Sequence, residues 1–188
     1  MLPKTETLNL SLSILDITNN KMNSTKTIYP FKVKLLNGQE KNLSDYSGKV
    51  LMIVNTASGC GFTPQLAELQ NLRNEYVEKG FEVLGFPSND FGGQEPLDGD
   101  AINEFCEVNF GVQFPMFEKI MVRGNHTHPL FKFLSEKKLN GNLNSSPKWN
   151  FHKYLINKNG EVVDYFYSFT KPGSSKIKKK LQRLLDEE

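Results

Sequence analysis

Cys60 and Cys106 are the only thiols in this chain, and Cys60 stands where a thiol becomes reactive. It lies in VLMIVNTASGCGFTPQ, Val50 to Gln65. An apolar, β-branched run reads there as a buried central strand. The run breaks into small and polar residues, Asn55 to Gly59, and delivers Cys60 just ahead of Gly61. Thr63 is then placed to cap a helix whose first residue is Pro64. Near a helix N-terminus, unpaired backbone N–H groups and the dipole favour an anion, which lowers a thiol's pKa and supplies the nucleophilic thiolate. The alternative is a small buried hydrophobe that happens to precede a helix. A core cysteine belongs more naturally inside the apolar run, beside Ile53, than on a glycine-flanked loop.

The remaining inventory narrows the chemistry. Two thiols in 188 residues do not form the disulfide framework of a small secreted domain. With His126, His128 and His152 scattered, they do not complete a four-ligand zinc site either. A catalytic or redox pair uses that count better, and no cofactor is expected. Gly59-x-Gly61 does not extend to a dinucleotide fingerprint, and Cys60 belongs to no Cys-x-x-Cys pair. A cysteine-protease reading needs a histidine beside Cys60; His152 is the candidate, on the same strand face as Asn150, and nothing else supports it. A net charge of +2 gives no sign of a nucleic-acid partner. The KIKKK run fits the solvated face of a terminal amphipathic helix, offset by Asp186, Glu187 and Glu188.

The elements that position these residues are legible from Ile28 onward. Residues 1–27, rich in Thr, Asn, Ser and Lys, read as a disordered leader, with Met22 as an alternative start. Their one apolar piece, LNLSLSILDI, is too short and too broken by serines to span a bilayer. Residues 28–188 are expected to form one soluble, cytoplasmic domain without stable membrane insertion. YPFKVKLL and QEKNL flank Asn37-Gly38, a hairpin signal. A helix is predicted from Pro64 to about Lys79, with Leu66, Leu69, Leu72 and Tyr76 buried and Gly80 as its stop. FEVLGFP is a second buried strand running into the loop SNDFGGQEPLDGD. A helix over about Asp100–Asn109 carries Ile102, Phe105 and Cys106 on one face. FGVQFPMFEKIMV is extended around Pro115, and a helix follows near Pro129–Lys137. WNFHKYLINKNGEVVDYFYSF forms a hairpin turning at Asn159-Gly160, before a last helix buries Ile177, Leu181, Leu184 and Leu185.

Strands alternating with helices, closed by an antiparallel hairpin and a helix, give an α/β domain with a mixed sheet. In such sheets the loops at the carboxyl ends of parallel strands gather at one edge, where ligands bind. Cys60 and the FGGQEP loop both leave buried strands at that edge, which brings Gln94 near the cysteine.

Three separated motifs carry a family likeness. NTASGCGFTPQ resembles the signature around the peroxidatic cysteine or selenocysteine of glutathione peroxidases. LGFPSNDFGGQEP is similar to the family's second signature, and KWNFHKYLI to its third. The resemblance runs from about Ile28 to Leu185. It implies a thioredoxin-like fold: a mixed central sheet flanked by helices, with an N-terminal β-hairpin. Carried over residue by residue, it implies a catalytic set of Cys60, Gln94, Trp149 and Asn150. The residue types suit that role. A thiolate attacks the O–O bond of a hydroperoxide, and the amides of Gln94 and Asn150 and the indole N–H of Trp149 are neutral donors for sulfur and oxygen.

The departures from the family pattern refine the expectation. Position 60 is cysteine, so no selenium chemistry is implied. Ser88 stands where many non-selenium members carry a cysteine, and Asp90 replaces the more usual Gln. Cys106, in NEFCEVNFGVQFPMF, matches the resolving cysteine of members recycled by thioredoxin rather than glutathione; a thiol packed with Ile102 is the alternative. Resolution is expected to require unwinding of Asp100–Asn109, since two helix positions in a packed domain lie outside disulfide range. The short segment between His128 and Trp149 implies a monomer with an open site, able to take lipid hydroperoxides as well as hydrogen peroxide. A redox-sensing relay, passing a disulfide from Cys60 to a partner protein, is the second functional reading.

Overall fold

The computed structural model describes residues 26–187. The expected leader, with Met22, therefore falls outside the described residues up to position 25. The N-terminal hairpin forms as two short strands, β1 (Lys32–Lys34) and β2 (Glu40–Asn42), in antiparallel register. The predicted runs are longer than these strands: Leu35, next in line, bridges to Phe117 and already belongs to the turn. The Gly38 N–H donates to Leu35 O at 2.8 Å across the turn.

The central sheet is ordered β4-β3-β5-β6. Its middle is β3 (Val50–Thr56), parallel to β4 (Phe81–Pro87) and antiparallel to β5 (Lys153–Ile156), which pairs antiparallel with β6 (Val162–Phe166). Every residue of β3 and β4 is buried, the pattern of strands covered on both faces. Successive side chains of β3 alternate between two cores. Val50, Met52 and Val54 pack with Leu66, Leu69, Ile177 and Leu181, whereas Leu51 and Ile53 pack with Leu130, Phe131 and Leu134.

The first core lies under α1 (Gln65–Tyr76), α2 (Gly99–Phe110) and α5 (Ser175–Asp186). The stripe Leu66, Leu69, Leu72 and Tyr76 is buried as its spacing predicts. Helix α1 ends sooner than expected, passing into a 3₁₀ turn over Val77–Lys79 before Gly80 adopts φ 90°. The expected helix over Pro129–Lys137 is broken into α3 (Pro129–Ser135) and α4 (Lys137–Asn140) by an extended Glu136. The break is held by Asn140, whose Nδ2 donates to the carbonyls of Phe133, Leu134 and Leu143.

The stretch around Pro115 is extended, as predicted, and lies along the outer edge of β4. Gly85 N–H donates to Pro115 O at 3.0 Å, and Phe117 N–H returns to Gly85 O at 2.9 Å. Glycine at position 85 makes room for this segment: a Cβ there would overlap the Met116 sulfur, which would have to move, and stand 3.1 Å from the Phe114 ring. Among the described residues, no helix is long and apolar enough to cross a membrane.

His152 is a core residue, not a partner for Cys60. Its fully buried ring lies 4.7 Å from Tyr154 and 5.7 Å from Tyr165, centroid to centroid. Tyr154 belongs to the core opposite the one that contains Cys60, which disposes of the cysteine-protease arrangement. Burial, reinforced by Lys153 and Lys148, pulls the His152 pKa from 6.5 down to about 3. Between those values the unfolded chain binds a proton that the folded chain refuses, so stability falls as pH drops through that window. The denaturant midpoint is expected to fall from about pH 7 to about pH 4, and His152→Phe to flatten that slope by up to about 1.4 kcal/mol per pH unit. Urea titrations of both proteins across the range measure the difference.

Candidate active site

The sheet's carboxyl edge brings three loops together. Strand β3 ends at Thr56, and Cys60 follows four residues later, 7% exposed. Thr63 does not cap α1 as expected; Pro64 occupies that position without a side-chain hydrogen bond. The Thr63 hydroxyl instead turns back into the loop, accepting from Cys60 N–H at 3.0 Å and donating to Ala57 O at 2.8 Å. Successive turns, Thr63 N–H to Cys60 O and Gln65 N–H to Phe62 O, carry the chain into α1. They place the Phe62 N–H 3.4 Å from Cys60 Sγ, so the sulfur accepts from a free backbone donor ahead of the helix.

The second loop leaves β4 at Pro87. Gly59 N–H donates to Gln94 O at 2.8 Å and clamps it against the cysteine loop. A Cβ at position 59 would stand only 3.2 Å from that oxygen, so glycine permits the approach. Sequence reasoning did not single out Glu95, yet it anchors this loop. Its carboxylate accepts from Ser58 N–H at 3.0 Å and Ser58 Oγ at 2.7 Å, and its own N–H donates to Asn89 Oδ1. Burial raises the Glu95 pKa, with the Ser58 bonds opposing it. An acidic residue followed by proline inside a glycine-rich loop was the available signal.

The third loop carries Trp149 and Asn150. Asn150 is fully buried, and its Nδ2 donates to Gln94 Oε1 at 3.0 Å. That bond leaves the Gln94 amide nitrogen without a protein partner among the described residues. Trp149 is 40% exposed, with its ring 5.6 Å from that of Phe91. The Arg123 guanidinium covers Phe91 at 4.4 Å, and Arg123 Nη2 donates to Asp90 O at 2.6 Å. Asp90 thereby acts as a tether, its carboxylate accepting from the N–H groups of Val122 and Arg123. The sheet holds this third loop through Asn55, a second residue the sequence reading passed over. Its Nδ2 donates to Trp149 O at 3.2 Å, and its Oδ1 accepts from His152 N–H at 3.0 Å. An asparagine directly after the apolar run Val50–Val54 was the sign.

Cys106 is in the same core cluster as Cys60, on the inner face of α2 beside Ile102, and both thiols are free. Burial, with the Glu95 carboxylate adding to it, pushes the Cys106 pKa up to about 12. In this conformation it is a thiol, not a nucleophile. The site thus joins a cysteine under a backbone donor, a carboxamide pair and an indole at a partly open surface, with a second thiol held back in the core. Replacing Thr63 by Val leaves the Cys60 N–H and the Ala57 carbonyl unpaired and is expected to cost about 1–3 kcal/mol in chemical denaturation, whereas Thr63→Ser retains most of the stability.

Residues 28–135 match the family model for glutathione peroxidase. The chain is 50% identical over 159 residues to a glutathione peroxidase homolog, BsaA, from Halalkalibacterium halodurans, covering 85% of this chain and 99% of that protein. It is 48% identical over 156 residues to a hydroperoxy fatty acid reductase of Synechocystis, covering 79% and 91%. The crystal structure of Trgpx in apo form superposes with a TM-score of 0.68 at 36% identity, covering 87% of this chain and 98% of that one. Likeness of fold alone reaches a putative thioredoxin from Neisseria meningitidis, with a TM-score of 0.55 at 18% identity and 84% and 89% coverage. The fold is thioredoxin-like, and with the family model matching more than half its length this chain belongs to the glutathione peroxidase family.

Proposed function

We propose that this chain reduces hydrogen peroxide and organic hydroperoxides through Cys60, is resolved by Cys106, and is recycled by thioredoxin. The observation that carries the reading is the Cys60 sulfur under the Phe62 N–H, with the Gln94 loop bound across it by Gly59. The Cys60 thiolate attacks one peroxide oxygen, the O–O bond breaks, and the products are a sulfenic acid and a hydroxide or alkoxide that takes up a proton to leave as water or alcohol. The unpartnered Gln94 amide and the Trp149 indole N–H serve as donors to the sulfur and the departing oxygen. Asn150 acts by holding the Gln94 carbonyl oxygen, so that the amide nitrogen faces the reaction. The relative named for hydroperoxy fatty acid reduction makes fatty-acid hydroperoxides the organic substrates to test. The half-exposed Trp149 agrees with a site open to such chains.

Cys106 then condenses with the sulfenic acid, giving a disulfide and water. In this reading α2 opens first, which frees the thiol, 4% exposed in the closed form, from the core that raises its pKa. A dithiol reductant returns both thiols. This reading places the protein as a monomer in the cytoplasm, where reductants keep thiols available.

Peroxide-dependent NADPH oxidation, coupled through thioredoxin and its reductase or through glutathione and its reductase, tests the cycle. Turnover is expected with thioredoxin. Cys60→Ser is expected to abolish it, because a hydroxyl is a far weaker nucleophile than a thiolate. Cys106→Ser is expected to consume about one equivalent of peroxide per chain and then stop, lacking the thiol that condenses with the sulfenic acid. Retained activity in Cys60→Ser overturns the reading; a durable mixed disulfide with one protein partner, without thioredoxin turnover, replaces it with a redox relay.

A further inference from the structure

Lys153 is the first residue of β5, and its side chain is fully buried. Taking an amine out of water is costly, and an apolar side chain of the same length would fill the space without that penalty. Its Nζ donates to the carbonyl of Phe151, two residues back, at 2.7 Å. Phe151 is the only non-glycine residue with positive φ among the described residues, at 64°. A left-handed conformation at a side chain of this size costs about 1–2 kcal/mol and persists only where its surroundings enforce it.

The surroundings do so carbonyl by carbonyl. Trp149 O accepts from Asn55 Nδ2, Asn150 O accepts from Ser168 Oγ at 2.6 Å, and Phe151 O accepts from Lys153. Three successive peptide planes are thus fixed by three side chains from β3, the loop after β6, and β5. The Lys153 bond acts on the plane that follows the left-handed residue. It is the one that specifies how the chain leaves Trp149 and Asn150 to enter the sheet.

We propose that Lys153 is a positioning residue for peroxide reduction, its buried amine holding the left-handed turn that keeps Asn150 on Gln94 and Trp149 over Phe91. The proposal rests on the role given above to those side chains. Burial pulls the Lys153 ammonium down to about 7, with the Glu68 carboxylate acting the other way, and the amine remains an N–H donor in either protonation state.

Trp149 is the only tryptophan in the sequence, so its emission spectrum reports on this turn directly. Lys153→Met and Lys153→Leu remove the donor; Lys153→Gln restores a neutral one. In single-turnover oxidation by hydrogen peroxide, the donor-free variants are expected to oxidise Cys60 about ten- to a hundred-fold more slowly, the range for a slightly displaced catalytic group. Their reduced forms should show a shifted Trp149 emission, and Lys153→Gln should recover both rate and spectrum towards the wild type. Wild-type rate and emission in a folded donor-free variant, even one with a lowered melting temperature, overturn the proposal. Asn150→Ala separates the two readings. If it oxidises at the wild-type rate, the catalytic role of the turn fails and takes this proposal with it. If Asn150→Ala is slow and the donor-free Lys153 variants are not, only the role of Lys153 falls.

Discussion

The carbonyls of Trp149, Asn150 and Phe151 lie before the first ladder pair of β5, Val54 with Lys153, and a carbonyl held away from water needs a donor. Where the ladder stops, side chains take over. Asn55 mimics one more ladder step, its amide bridging Trp149 O and His152 N–H while its backbone oxygen accepts from Phe151 N–H at 2.6 Å. Ser168 supplies the Asn150 carbonyl and is tied in turn to α1, its own carbonyl accepting from Gln65 Nε2 at 2.6 Å. The cysteine loop, α1 and the Trp149 turn are therefore one hydrogen-bonded unit, although their residues are about a hundred positions apart in sequence.

A similar sharing of partners governs the two thiols. Both sit in one apolar core, yet their neighbours differ in kind. Cys60 meets a backbone donor at the mouth of a helix, whereas Cys106 meets apolar side chains and the negative charge of Glu95. Glu95 thus acts twice: it fixes the cysteine loop through Ser58 and disfavours ionisation of Cys106. One carboxylate helps to keep the two sulfurs chemically unlike while α2 is closed.

Much of this was legible in the sequence where local chemistry decides structure. The unbroken apolar run of β3, the stripe of α1 and the Asn-Gly turns of both hairpins each express one local pattern or one turn preference, and the structure follows them. Thr63 shows where that logic ends. Its position before Pro64 satisfies the rule for a cap, but the competing demand of Cys60 N–H and Ala57 O takes the hydroxyl. Asn55, Glu95 and Lys153 escaped notice for a related reason. Each is a polar residue whose partner lies far along the chain or across a turn with unusual backbone geometry, so its neighbours can mark the residue as out of place but do not name the bond it makes. The break at Glu136 belongs to the same class, since it depends on Asn140 reaching back across a turn.

The segment at Pro115–Phe117 has a consequence for how the molecule meets its own kind. An open strand edge is a template for another chain, and a four-stranded sheet has two of them. Along β4 that template is occupied, because Gly85 commits both backbone groups to Pro115 and Phe117. Among the described strands of this sheet, the other edge is β6, five residues long, where Asp164 is paired with Lys180 at 3.3 Å. A charged, short border is a poor seed for fibrils. The outer edge of β4, an apolar strand, is interrupted at Gly85 and Pro87 by the protein's own chain.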